Sequence, residues 1–325
     1  MELLDEDTLI ARYFAPIAGP AGLRLLDDAA VLTPPAGMDL VVTADALVAG
    51  IHFFADDPAG SIARKALAVN LSDLAAKGAE PLGFVLTLAL QAGRTADWLG
   101  GFAAGLAEEA ASAACPLLGG DTVRTPGPLT LSITAFGTVP HGRMVRRTGA
   151  AAGDRLYVTG TIGDAALGLR LRCGDIPNLG QGERDHLLDR FLHPRARLAL
   201  RAALLAHAHG AMDVSDGFVG DLAKMMRASG ATAEVDLSAV PLSPAARATI
   251  AAAPELFDVA VTGGDDYEIL AAVPLAEVAA FERAAMAAGV AAAPIGAVLP
   301  GTAPPRFRAA DGTARSFGRG SFSHF

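Results

Sequence analysis

The chain has 325 residues, of which 52% are hydrophobic and 19% charged, a balance typical of globular proteins and unlike disordered or fibrous chains. Its formal net charge of -9 argues against the basic surface with which proteins bind nucleic acid, so we expect no nucleic-acid partner. An acidic first segment and the lack of a long apolar run predict a cytoplasmic protein without a membrane span. Cys115 and Cys173 lie far apart without histidine neighbours, so we expect reduced thiols rather than a zinc site or a disulfide framework.

Strand and helix patterns alternate through the first half of the chain. Apolar residues at the helical repeat predict helices over 62–78 and 98–114, and short apolar runs predict strands over 39–45 and 83–90. The segment 129–139 alternates Leu and Ile with Thr and Ser, so we expect a strand with one face turned to solvent or to a partner. The first half therefore predicts a mixed α/β domain.

A shift in composition marks the predicted domain boundary. Glycine and arginine crowd into 140–154, and we place the boundary after residue 147. Beyond it the patterns predict strands at 155–159, 233–237, 267–273 and 295–299, and helices from about 164, at 184–208 and at 275–288. We therefore expect two mixed α/β domains, 1–147 and 148–325.

Aspartates recur beside small residues where the chain is expected to turn, a setting that lets a ligand or an ion approach the backbone. Taken singly, such an Asp is most often a helix cap or a turn former. As a set, they are oxygen donors spread over several loops, which is how proteins bind Mg²⁺ or Mn²⁺ together with phosphates. The aspartates concerned are Asp27, Asp28, Asp45, Asp73, Asp121, Asp213, Asp216, Asp265 and Asp266.

One helix adds weight to a metal site, and the usual phosphate motifs are missing. Asn70 and Asp73 share a face of the predicted helix 62–78, where a carboxylate among Ala and Leu is costly unless it meets a cation. The chain has no GxxxxGK[ST] phosphate loop, no protein-kinase DFG or HRD motif and no GxSxG motif. Any nucleotide would therefore be bound through metal bridges and glycine-rich turns.

Seven short segments follow one another along the chain, namely 27–32, 42–53, 65–76, 119–122, 213–217, 263–268 and 324–325. Read in order, they resemble the motifs of the thiamine-monophosphate kinase family. This family belongs to the superfamily that also holds aminoimidazole ribonucleotide synthetase and selenophosphate synthetase. The resemblance runs nearly end to end, and the ordered set at near-family spacing is specific.

The resemblance implies two α/β domains of the aminoimidazole ribonucleotide synthetase-like type, with the N-terminal domains of two chains pairing in a homodimer. It also implies ATP-dependent phosphorylation of thiamine monophosphate to thiamine diphosphate, assisted by several Mg²⁺ ions. The residues that match metal-ligand positions are Asp28, Thr43, Asp45, Asp73, Asp121, Asp213 and Asp216. Those that match nucleotide-binding positions are Gly120, Asp121, Arg147 and Ser215, and those that match the acceptor site are His52, Asp265 and Phe322.

Four positions depart from the usual family residues, namely Leu26, Ala44, Asp265 and Phe322. The acceptor phosphate, with a second pKa of about 6, is largely ionised at neutral pH, so we predict metal-assisted transfer without a catalytic side chain. Two alternatives stay open at this level. They are another ATP-dependent synthetase of the same superfamily, and a nucleotide-binding or metal-binding regulator without turnover.

Overall fold

The computed structural model describes residues 5–176, 179–318 and 320–321. The chain divides into two units, one of Met1–Leu74 and Ala79–Arg143 and the other of Ala75–Gly78 and Met144–Phe325. The second unit thus takes four residues from the middle of the first. The division after Arg143 lies close to the boundary predicted after residue 147, which stays a prediction. None of the described helices is both long enough and apolar enough to cross a membrane.

A four-stranded sheet forms the centre of the first unit, in the spatial order β1-β4-β2-β3. β3 runs parallel to β2, and the other neighbouring pairs are antiparallel. The elements in chain order are α1 (Glu6–Leu9), a π-helical turn (Ile10–Phe14), two 3₁₀ turns (Ala15–Ile17 and Pro20–Leu25), β1 (Met38–Val48), α2 (Ala59–Ala76), β2 (Glu80–Gln91), α3 (Ala96–Ser112), β3 (Leu117–Thr125) and β4 (Thr130–Pro140).

β4 confirms the strand that the period-two pattern predicts. Leu131 and Ile133 are buried, whereas the alternating Ser132 and Thr134 are partly exposed. Val42 of the neighbouring β1 also lies on the outer side, with 53% of its surface exposed. One face of the sheet therefore packs into the core of the unit, and the other face is open.

Two of the predicted turns are strands instead. β3 is absent from the predicted strands, yet Asp121 lies in the middle of it. Two glycines and the polar residues after them weaken the strand signal, and pairing with β2 fixes the segment all the same. Asp45 also lies inside a strand, because β1 continues to Val48 beyond its predicted end. The prediction that these aspartates lie in turns is therefore wrong for Asp45 and Asp121.

The second unit is built on a seven-stranded sheet in the order β11-β10-β7-β9-β5-β8-β6. β10 pairs in parallel with β7, and the other neighbouring pairs are antiparallel. The elements in chain order are a 3₁₀ turn (Arg147–Gly149), β5 (Arg155–Thr159), α4 (Asp164–Arg172), α5 (Gln181–Leu192), a 3₁₀ turn (Leu198–Leu200), α6 (Arg201–His207), β6 (Gly210–Val214), α7 (Phe218–Ser229), β7 (Thr232–Asp236), a 3₁₀ turn (Leu237–Ala239), α8 (Pro244–Ala252), α9 (Leu256–Thr262), β8 (Glu268–Val273), α10 (Val278–Ala287), β9 (Ala292–Leu299), β10 (Arg306–Arg308) and β11 (Ala314–Arg315).

Helices cover both faces of this sheet. Every residue of β6 and β8 is buried. Met212 of β6 and Leu270 of β8 pack in one cluster with α7, while their chain neighbours Ala211 and Ile269 pack in another with α6 and α10. Because successive strand residues project to opposite faces, the two clusters lie on opposite sides of the sheet.

The prediction of a single helix over 184–208 is wrong. α5 ends at Leu192 and α6 begins only at Arg201. Pro194 lies between them, and proline has no N–H to donate and clashes with the preceding turn of a helix. His193, the residue before it, has φ -130° and ψ 78°, outside the helical region as expected before a proline.

Candidate functional site

A pocket of about 410 Å³ in the first unit joins two of the sequence motifs. Asp27 and Asp28 line it from the loop after the 3₁₀ turns, and Gly120 and Asp121 line it from β3. All three carboxylates are exposed. Because negative groups from a loop and a strand face one space, the pocket favours a cation or a cation-bound anion.

Close backbone packing explains the glycine at position 120. A Cβ there would lie 1.9 Å from the carbonyl oxygen of Leu86 on the neighbouring strand β2. The segment before the aspartate loop also follows β3 closely, since the Gly19 N–H donates to the Leu117 carbonyl oxygen at 2.8 Å. These contacts place the loop beside the start of β3, where the pocket forms.

A second group of predicted ligands lies where β1 meets α2. Thr43 Oγ1 donates to Asp73 Oδ2. Asp45 follows Thr43 by two residues on β1, so both side chains project from the same face. Asn70, one helical turn before Asp73, is fully buried, and its Nδ2 donates to the Ala66 carbonyl oxygen at 3.0 Å. The Oδ1 of Asn70 has no hydrogen-bond partner within the described residues.

His52, a predicted acceptor-site residue, is fixed by the end of β1. The ring Nδ1 of His52 accepts a hydrogen bond from the Val48 N–H at 3.0 Å. The backbone N–H of His52 donates to the Val48 carbonyl oxygen at 3.0 Å. Because Nδ1 acts as an acceptor, the neutral ring carries its proton on Nε2. The backbone thus sets both the orientation and the tautomer of the imidazole.

Two further motifs meet in the second unit at the end of β6. The Asp265 N–H donates to the Ser215 carbonyl oxygen at 2.9 Å. Gly264 is required beside it, since a Cβ there would lie 2.3 Å from the same oxygen. Asp213 is buried near the end of β6, and Asp216 follows Ser215 in the turn. Predicted metal, nucleotide and acceptor residues therefore lie in adjoining turns.

Asp221 and Lys224 of α7 contact the 215–216 turn, although sequence reasoning missed both. Asp221 Oδ2 accepts from the N–H groups of Ser215 and Asp216, and Lys224 Nζ donates to both carboxylates. Burial raises the pKa of Asp221, and the hydrogen bond from Lys224 opposes that shift. In the sequence, an acid in the first turn of a helix and a lysine one turn later read as ordinary surface stabilisation. The signal that could have revealed Asp221 is that its neighbours in the sequence are apolar, which indicates a buried carboxylate.

A buried ion-pair network lies close to Asp265 in the chain. The carboxylate of Glu268 is fully buried and accepts hydrogen bonds from Arg197, from Arg190 Nη2 at 2.9 Å and from the Thr159 hydroxyl at 2.7 Å. The sequence does not reveal this network, because its members are spread from β5 to β8. It anchors the start of β8 and with it the turn that carries Asp265.

Asp266, from the same motif, stabilises the fold. Its Oδ2 accepts from the Gly163 N–H at 2.8 Å, just before α4 begins. Burial raises the pKa of Asp266 well above its usual range, while the Gly163 N–H lowers it. The residue therefore acts as a buried cap of α4.

The structure does not bring Arg147 to the 215–216 turn. The carbonyl oxygen of Arg147 accepts from the Ser229 hydroxyl at 2.9 Å, at the C-terminal end of α7. The turn precedes the other end of α7, whose 12 residues span about 18 Å. Phe322, the remaining predicted acceptor residue, lies outside the described residues.

The donor chemistry of these residues suits magnesium. Carboxylate and hydroxyl oxygens are the ligands that Mg²⁺ prefers in proteins, and the pocket and the Thr43–Asp73 contact both supply them. In the part of the chain that the structure describes, no three His, Cys, Asp or Glu side chains are grouped closely enough to hold a metal ion. The set of metal ligands therefore stays a prediction.

Comparison with known proteins identifies the family. Residues 26–139 match the family "AIR synthase related protein, N-terminal domain", and residues 151–304 match the corresponding C-terminal domain. Thiamine-monophosphate kinase from Caulobacter vibrioides is 46% identical over 297 residues, which cover 90% of this chain and 83% of that protein. The chain belongs to the thiamine-monophosphate kinase family.

Solved structures of the thiamine-monophosphate kinase family share this fold. The protein from Stenotrophomonas maltophilia is 39% identical, with a TM-score of 0.81 over 90% of this chain and 91% of that one. A second structure, AaThiL complexed with AMPPCP and TMP, is 26% identical with a TM-score of 0.79, over 100% of this chain and 99% of that one. The predicted class of two mixed α/β domains is confirmed, whereas the dimer pairing stays a prediction.

Proposed function

We propose that this chain transfers the γ-phosphoryl group of ATP to thiamine monophosphate and so forms thiamine diphosphate. The observation that carries the proposal is the 46% identity to a thiamine-monophosphate kinase over 90% of the chain. The structural neighbour complexed with AMPPCP and TMP supports a nucleotide donor and this acceptor. Both favour this activity over the synthetase and regulator alternatives.

Charge is the main obstacle to the reaction. Both substrates are anions, so their phosphates repel each other when they approach within reacting distance. Bound Mg²⁺ would supply the neutralising charge. The residues that would hold these ions are Asp28, Thr43, Asp45, Asp73, Asp121, Asp213 and Asp216.

The remaining site residues bind and orient the two substrates. We assign Gly120, Asp121 and Ser215 to the nucleotide, and His52, Asp265 and Phe322 to the acceptor. Arg147 is left out of this assignment, because its backbone contacts the end of α7 that is far from Ser215. The Nε2–H of His52 is a suitable donor to an anionic phosphate, because the Val48 N–H occupies Nδ1. The acceptor oxygen needs no general base, since its second pKa is about 6. In-line positioning by these residues then leaves little further chemistry for the protein to do.

We propose further that the first unit pairs with a second copy in a homodimer. The open face of its sheet exposes Leu40 by 43% and Val42 by 53%, both on the edge strand β1. Exposed apolar side chains on a sheet edge favour a contact that covers them. Sedimentation should give twice the chain mass of 33.0 kDa. A mass of one chain at micromolar concentration would contradict the pairing.

Acceptor choice tests the proposed activity. With saturating ATP and Mg²⁺, we expect rapid ADP formation with thiamine monophosphate and very slow formation with thiamine. The free hydroxyl of thiamine needs a positioned base, and the motif residues supply none. The rate with the monophosphate should also fall below about pH 6, as its second proton returns. Comparable turnover of both acceptors would contradict the base-free mechanism, and ADP release that ignores the acceptor would contradict the kinase proposal.

Asp265→Asn supplies a matched variant for the same assay. It removes the carboxylate charge assigned to the acceptor, and Asn tolerates the left-handed backbone at this position (φ 74°), so the N–H that bonds Ser215 stays in place. The KM for thiamine monophosphate should therefore rise while the affinity for an ATP analogue stays unchanged. Equal losses for both ligands would show that Asp265 does not belong to the acceptor site.

A further inference from the structure

The 215–216 turn is fixed by a side chain outside the predicted site. Asp221 is fully buried, and its Oδ2 accepts from the Ser215 N–H at 3.0 Å and from the Asp216 N–H at 2.8 Å. One oxygen atom thus binds two successive amides. The turn cannot rotate without breaking both hydrogen bonds to a buried, charged acceptor, whose bonds are stronger than those of a neutral acceptor.

Lys224 extends this restraint from the backbone to a side chain. Its Nζ donates to Asp221 Oδ1 at 2.9 Å and also to Asp216 Oδ2. Asp221 and Lys224 lie one turn apart on α7, so the helix itself fixes their spacing. The side chain of Asp216 is 40% exposed, and its contact with Lys224 restrains its orientation.

We propose that Asp221 and Lys224 are positioning residues that orient Ser215 and Asp216 for the nucleotide and its metal ion. This inference rests on the proposed function, which assigns Ser215 to the nucleotide and Asp216 to the metal. Asp221 acts only through the turn that it holds. Binding residues that are already oriented lose less conformational freedom when the nucleotide binds. The affinity for the nucleotide therefore also depends on the residues that hold the binding residues in place.

The test compares Asp221→Asn with a control at another buried carboxylate of the same unit. Asp154 is 3% exposed, its Oδ2 accepts from the Ala151 N–H at 2.9 Å, and it pairs with His209. Neither partner belongs to the predicted site. Calorimetry measures the binding of AMPPCP in the presence of Mg²⁺, and circular dichroism reports folding in each variant.

We expect Asp221→Asn to weaken AMPPCP binding by about 10–100-fold, the usual effect of removing an outer partner of a metal ligand. Asp154→Asn should bind AMPPCP as the unsubstituted chain does. Unchanged affinity in Asp221→Asn, or an equal loss in Asp154→Asn, would overturn the inference. Absence of binding by the unsubstituted chain would overturn the proposed function, and the inference with it.

Lys224 gives a second variant in case Asp221→Asn does not fold. Lys224→Met removes the contact to Asp216 but keeps both hydrogen bonds from the turn to Asp221. Its affinity for AMPPCP with Mg²⁺ should fall, and Lys224→Arg should restore part of it because a cation is again present. Unchanged affinity in Lys224→Met, or no difference between Met and Arg, would overturn the role of the lysine.

Discussion

Replacing Asp73 with Asn should lower the turnover of ATP and thiamine monophosphate on the order of 10²–10³-fold, as the loss of one group that stabilises transferring charge does elsewhere. Asp73 accepts a hydrogen bond from the Thr43 hydroxyl, and Asp45 lies on the same face of β1. Asn keeps the shape and one acceptor oxygen but loses the negative charge that favours Mg²⁺. ADP formation should be followed over a series of Mg²⁺ concentrations, since excess Mg²⁺ should recover part of the loss.

Asp39→Asn is the matched control for this variant. Asp39 projects from the same face of β1 as Asp45, and its carboxylate bonds the His141 ring at 2.7 Å and the Gly142 N–H at 2.8 Å. It lies outside the predicted site, so turnover should stay close to that of the unsubstituted chain. Full activity of Asp73→Asn at limiting Mg²⁺ would rule out its role as a metal ligand. An equal loss in both variants would instead indicate damage to the sheet.

Glu268→Gln should lower the midpoint of thermal unfolding by roughly 6–20 °C, the shift that corresponds to about 3–5 kcal/mol in a unit of this size. Glu268 is fully buried and is the shared acceptor for Arg190 and Arg197. Glutamine removes the charge and leaves Arg190, which is 4% exposed, without a compensating carboxylate. Circular dichroism during heating measures the midpoint.

Glu234→Gln provides the comparison, because Glu234 also pairs with an arginine on this sheet. Its carboxylate lies 2.9 Å from Arg308 at the surface, where water and salt screen the pair. We expect little change in its midpoint. A drop of the same size in both variants, or no drop in Glu268→Gln, would show that the buried network contributes no more than a surface pair.

Local patterns were enough to predict the elements that bury one regular face. The strand at 155–159 and the helix from Asp164 are confirmed, because their apolar repeat and flanking glycines are all local signals. β3 could not be predicted in this way, since pairing with β2 overrides the weak strand preference of its glycines. Pro194 was a local signal for the break between α5 and α6. The apolar repeat continues on both sides of it, however, and so favoured a single helix.

Local patterns were even less able to predict the contacts of the candidate site. Motif resemblance could name Thr43, Asp73, Ser215 and Asp265, but contacts such as that between Thr43 and Asp73 join residues far apart in the chain. Spacing along a sequence carries no information about such pairs until the fold is known. Asp221 was missed for a different reason, because an acid in the first turn of a helix has an ordinary local explanation.

The four residues Ala75–Gly78, which belong to the second unit, have a consequence for how the chain is made. Ala76 is buried in a cluster with Phe281, and Lys77 Nζ donates to the Ala211 carbonyl oxygen at 2.8 Å. A ribosome releases this segment long before the strands and helices that enclose it, because synthesis proceeds from the N-terminus. The apolar surface at the end of α2 therefore stays exposed to solvent until most of the second unit has been synthesised. A fragment that began at the division between the units would lack part of its own core.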